Sequence, residues 1–221
     1  MISTPDLIDK LSTGVSPIRR LLPPAFRAAL WLGAIIVIAG AAIFAWSDLP
    51  TVARRAARFD RAIELFAMLA TGIGAVLAAF MLSVPGRSSR WLFLPLVPLV
   101  VWLASSGAQC LHTLEAFGAQ GWTRNAGSDC FKFIALAGTP VTFSLLALLA
   151  RAKPIAPVPV AVMAALGAGS LTAFVLQFFH PIDASFLDLA IHLAAVALLA
   201  GLAAFAGRIA RARWERELSG R

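Results

Sequence analysis

Residues 62–84 read AIELFAMLATGIGAVLAAFMLSV, a run whose only charge is Glu64, close to its start. At 1.5 Å per residue such a run crosses ~30 Å of hydrocarbon as a helix. Lipid offers no water to backbone N–H and C=O groups, so the chain must close its hydrogen bonds within the segment, which a helix does. Five similar runs flank it: 28–46, 91–111, 131–150, 158–179 and 187–207. The alternating ten-residue segments of a membrane barrel are absent. The expected fold is therefore all-α, an integral membrane bundle of six transmembrane helices. It forms one domain over 28–207, with an N-terminal segment at 1–27 and a basic tail at 208–221. Gly72, Gly74, Gly167 and Gly169 are expected to mark close helix packing. Pro95, Pro98 and Pro140 should kink their spans or sit near span ends.

Composition supports the same class. The chain is 60% hydrophobic and 14% charged, with a mean hydropathy of +0.84, outside the range of ordinary soluble domains. The first run begins behind a polar segment and exceeds the ~7–15 apolar residues of a signal-peptide core, so an uncleaved span is expected. In a soluble protein a net charge of +8 would suggest nucleic acid. Here the basic residues border apolar runs, where they set topology and meet lipid headgroups, and no direct nucleic-acid binding is expected. Thirteen of the nineteen Lys and Arg fall in the head, the two even-numbered loops and the tail, which predicts that both termini are cytoplasmic. Trp31, Trp46, Trp91 and Trp122 fall near span boundaries, as an interfacial belt requires. In the first loop, Val52, Ala56, Phe59 and Ile63 make a helical stripe opposite Arg54, Arg58 and Arg61, suited to lying along the membrane surface.

This topology collects both cysteines and all three histidines at one face: Cys110, His112, Cys130, His180 and His192. A disulfide between Cys110 and Cys130 would close a loop of about 20 residues and be worth ~3 kcal/mol on the chain-entropy estimate. The pair could instead be a switchable dithiol, or could join the imidazoles in a site for a soft metal or an oxidant. The spacing matches no zinc motif. Ser185 and Asp188 have capping-box spacing at the start of the last span, and Asp188 can pair with His192 four residues on. Deep within the spans no acid or base occurs, and the nearest exception is Glu64, at the outer end of the second. No nucleophile elbow, phosphate loop or zinc-protease motif occurs, so neither catalysis nor a cofactor is expected. At the other end of the chain, Thr4 as cap and Pro5 in the first turn predict a short helix. It would carry an apolar stripe of Leu7, Ile8 and Leu11 beside Asp6 and Asp9, and would end by Gly14 and Pro17.

Several stretches together resemble one family. They are Asp6-Leu7-Ile8, Pro17-Ile18-Arg19-Arg20-Leu21, Pro24 before Arg27 and Trp31, the turn Val84-Pro85-Gly86-Arg87-Ser88-Ser89-Arg90-Trp91, Gly127 and Ser128 with Cys130, Phe133 and Ile134, and His180-Pro181-Ile182-Asp183-Ala184-Ser185 with His192. In consistent order along nearly the whole chain, they resemble the NrsF-like bacterial membrane anti-sigma factors, negative regulators of sigma F. The resemblance implies a protein of the bacterial inner membrane that restrains an extracytoplasmic-function sigma factor and frees it under heavy-metal or oxidative stress. It implies that Asp6, Leu7, Ile8 and Leu11 contact the sigma factor. It also implies that Cys110 and Cys130 are sensors, with a heavy-metal ion as a candidate signal. The alternative drawn from the residues alone is a small-molecule permease or redox membrane subunit using the Cys and His group.

Overall fold

The computed structural model describes residues 3–13, 20–122, 128–179 and 186–219. Among them every regular element is helical: α1 (Thr4–Thr13), α2 (Pro24–Trp46), α3 (Leu49–Ala56), α4 (Phe59–Leu82), α5 (Leu96–Phe117), α6 (Ser128–Ala150), α7 (Pro157–Leu176) and α8 (Phe186–Ser219). Short 3₁₀ turns at Ser89–Phe93 and Gly118–Trp122 bracket α5. Six of these segments are long and apolar enough to cross a membrane, in the order expected, and the chain is a multi-pass membrane protein.

The six are not equivalent. Inside the bundle, 56% of the apolar stretch of α4 and 61% of that of α7 are buried, against 28% or less in each of the others. Two central helices therefore carry the core and four pack around them. The centre is closed by residues with little or no side chain, because lipid tails are as apolar as leucine and association must come from close contact. A methyl group added at Gly167 would sit 2.8 Å from Val76 Cγ2 and 3.0 Å from the Val76 amide nitrogen. One added at Gly72 would sit 2.7 Å from Leu171 Cγ. Gly74 lets α4 meet the backbone at Pro95, and Gly169 accepts Val196 of α8. Around this line of contact, Val76, Ala79, Phe80, Ala164 and Leu171 join Trp31 of α2 and Leu145 of α6. On the other flank Met68, Ala165 and Ala173 join Trp102, Ile134 and Leu199. Leucines, valines and phenylalanines such as Val37, Phe44, Phe66, Leu136 and Phe143 cover the outside, each more than two-thirds exposed, as a lipid-facing surface demands.

Polar residues secure α2. Trp31 Nε1 donates to Ser144 Oγ at 3.2 Å, and Arg27 Nη2 donates to the Leu148 carbonyl at 2.6 Å. That carbonyl is in the last turn of α6, where no intrahelical donor exists, so Arg27 caps α6 and its charge complements the helix dipole. The same guanidinium lies 5.2 Å from the centre of the Phe80 ring on α4, a cation–π geometry.

Local details correct or refine the sequence reading. Ser3, not Thr4, caps α1: its hydroxyl accepts from the Asp6 amide at 3.3 Å and donates to the Asp6 carboxylate, which puts the cap one residue earlier than expected. Pro95 is the N-cap of α5 and Pro98 lies in its first turn, near a span end as expected, whereas Pro140 lies within α6. The stripe Val52–Ala56–Phe59–Ile63 is broken between α3 and α4, with Phe59 81% exposed. Finally, α8 continues through the basic tail to Ser219. It begins at Phe186, directly after Ser185, which itself lies outside the described residues, as does the Asp188 side chain. Between α6 and α7, Lys153 takes the left-handed conformation (φ 46°), the only described non-glycine to do so, at a cost of about 1–2 kcal/mol.

Gly167→Ala is expected to lower stability by about 1–3 kcal/mol through overpacking against Val76. Gly107→Ala, where nothing lies within 4 Å of the added methyl, should not lower stability. Thermal unfolding of the two variants in detergent compares them directly.

Candidate functional site

Most hydroxyls within the spans return to their own helix: Thr71 donates to Ala67 O (2.7 Å), Thr172 to Ala168 O (2.8 Å) and Ser105 to Trp102 O (2.9 Å). Ser106 instead crosses to α4, where its Oγ donates to Glu64 Oε1 at 2.6 Å. Gln109 Nε2, one turn further along α5, donates to Glu64 Oε2 at 2.8 Å. Arg61 Nη1, one turn before Glu64, reaches the same oxygen at 3.1 Å. Glu64 is thus 4% exposed and held by a guanidinium, a hydroxyl and an amide. A buried carboxylate without such donors would carry a large desolvation cost. By contrast, Arg58 and Asp60 form an exposed pair nearby (3.1 Å), worth little to stability.

The periodicity of α5 explains why these groups meet. Trp102, Ser106, Cys110 and Thr113 are its buried residues and recur every three or four positions, the spacing of one helix face. Gln109 sits at the margin of that face. Cys110 is fully buried, one residue from Gln109 and one turn from Ser106. His112 leaves the helix on another flank and is exposed, since positions two apart do not share a face. It borders an open cavity of about 600 Å³ together with Arg58, Arg61, Gln109, Thr113 and Phe117. Gln109 Oε1 is buried with no donor among the described residues.

His192 is buried in the second turn of α8. His180 and the Cys130 side chain lie outside the described residues; position 130 itself belongs to the first turn of α6. Among the described residues no group of three or more His, Cys, Asp or Glu could hold a metal ion. At the opposite end of the chain, every described side chain of α1 is exposed, including Asp6, Leu7 (45%) and Ile8 (61%); the Leu11 side chain is outside the described set.

The Glu64 cluster was not assembled from the sequence, although its parts carry a signal. One acid in an apolar span needs donors, Arg61 and Glu64 are three apart, and so are Ser106 and Gln109 on the next span. Which face of α5 meets α4 is the missing fact.

Comparison with known proteins gives one match. The family model described as negative regulator of sigma F covers residues 11–214, which leaves Asp6, Leu7 and Ile8 ahead of its first matched position. No curated protein and no solved structure matches.

Glu64→Ala should destabilise the bundle by about 3–5 kcal/mol, because it leaves Arg61 and two polar groups without their common partner. Arg61→Met combined with Glu64→Met should recover most of that loss, and a double-mutant cycle on thermal stability reads the coupling. Under reducing conditions Cys110 should react with a maleimide much more slowly in the folded protein than after denaturation, in line with its burial.

Proposed function

The chain belongs to the family of negative regulators of sigma F, and from that membership we propose a specific mode of regulation. The protein is a multi-pass anti-sigma factor of the bacterial inner membrane, with both termini in the cytoplasm. It sequesters an extracytoplasmic-function sigma factor through α1 and releases it when Cys110 and Cys130, on the opposite face, meet a heavy-metal ion or an oxidant. The observation that carries the output half is the exposure of α1. A capped helix presents Leu7 and Ile8 to solvent beside Asp6 and Asp9, and exposed Leu21 and Leu22 precede the first span. An unpacked amphipathic helix can lay its apolar face in a partner's groove. Its attachment to a membrane span would then hold that partner away from promoters. The excess of Lys and Arg on the side of the termini supports the orientation.

The burial of Cys110 supports the input half. Its thiol is buried on the α5 face that holds Glu64, so oxidation or metal binding there requires α5 to shift against α4. The far end of α4 carries Phe80, which meets Arg27 at the start of α2, directly after the head. A change at Cys110 can therefore bias the packing of α2, and ~1.4 kcal/mol of bias changes the bound fraction tenfold. The outer thiols serve as the trigger, and the arrangement calls for no catalytic step.

Full-length protein purified from native membranes should retain its sigma factor. Leu7→Asp with Ile8→Asp should cut that retention by about tenfold or more, equivalent to ~1.4 kcal/mol. Undiminished retention would place the output elsewhere in the chain. Cys110→Ser and Cys130→Ser should each alter induction of a sigma-dependent reporter by metal or oxidant while leaving retention in unstressed cells intact.

A further inference from the structure

The end of the bundle where α6 and α8 finish and α7 begins holds a second cavity, of about 390 Å³, unrelated to the Glu64 cluster. Leu146, Leu149, Val160 and Ala161 supply its apolar walls, and Lys153, Arg211 and Arg213 also line it. Among the described residues that line it none is acidic. We propose that this groove binds one anionic phospholipid, an acyl chain lying along the apolar walls and the phosphate held by the basic side chains.

Five observations support that occupant over others. The basic groups stand at the turn between two spans and just past the apolar part of α8, the level at which a headgroup meets water. The walls below them are aliphatic, which suits an acyl chain and gives a free phosphate ion nothing to bind. Lys153 sits in the left-handed region, a conformation that glycine or asparagine adopts at less cost. A lysine at that strained position places its charge at the cavity. The approach of α8 to the start of α7 is permitted by Gly207, where a methyl would lie 3.1 Å from the Pro157 carbonyl oxygen. Beyond that contact the arginines of α8 line the same cavity as Lys153. The first turn of α7 has no acidic residue and no side-chain cap, so its positive dipole end adds to the same field.

The experiment uses the full chain reconstituted in vesicles of equal parts phosphatidylglycerol and phosphatidylcholine, released into the gas phase for native mass spectrometry. The wild type should carry phosphatidylglycerol in about tenfold preference to phosphatidylcholine. Lys153→Gly with Arg213→Ala should abolish the preference, and because glycine relieves the backbone at 153, loss of fold is not the expected cause. Ala206→Trp, which fills the groove from an exposed position, should remove the bound lipid of either kind. Equal retention of the two lipids by the wild type, or an unchanged preference in the double variant, overturns the proposal. Displacement of the lipid by inorganic phosphate alone would also overturn it, since it would show a site for the free ion.

Discussion

The close approach of α4 and α7 is the constraint on which the rest of the bundle depends. Gly167 sits against the backbone at Val76, and Gly72 against Leu171. In lipid, burying apolar surface between helices gains little, because hydrocarbon already surrounds each one. What remains is dispersion between well-fitted surfaces, which falls off steeply once a gap of even half an ångström opens. Two glycine-bearing helices can come near enough for that attraction to hold, and the four peripheral spans then find a surface to pack on.

Polar groups fasten this core at both ends of α4. At one end Glu64 binds Ser106 and Gln109 and so fixes the rotation of α5. At the other, Phe80 faces Arg27, whose guanidinium also closes the end of α6. Glu64 is buried and Arg27 half-buried, and each charge has several partners. A helix secured in this way at two ends is suited to pass a displacement along its length. The exposed helix α1 and the buried thiol of Cys110 belong to segments that meet these opposite ends.

The basic groove between α6, α7 and α8 adds a second influence on the same bundle. A lipid lodged there would touch α7, one of the two central helices, at its first turn. The state of the membrane and the state of the thiols would then act on one packed unit, from different sides.

The sequence by itself determined the class, the number of spans and the family, because long uncharged runs have a single backbone solution in lipid. It also marked Gly72 and Gly167 as contact points. It put the cap of α1 at Thr4, where the structure has Ser3, and left open the course of the basic tail, through which α8 runs on. It left Glu64 as an isolated exception and grouped Cys110 with His112, which leave α5 on different flanks. Only the tertiary structure decided that α4 and α7 are central, that Glu64 is buried among three donors and that the thiol of Cys110 points inward. The physical reason is that all six spans have nearly the same composition. Which face of each is buried depends on the shape of its neighbour, and shape is settled only when the helices meet.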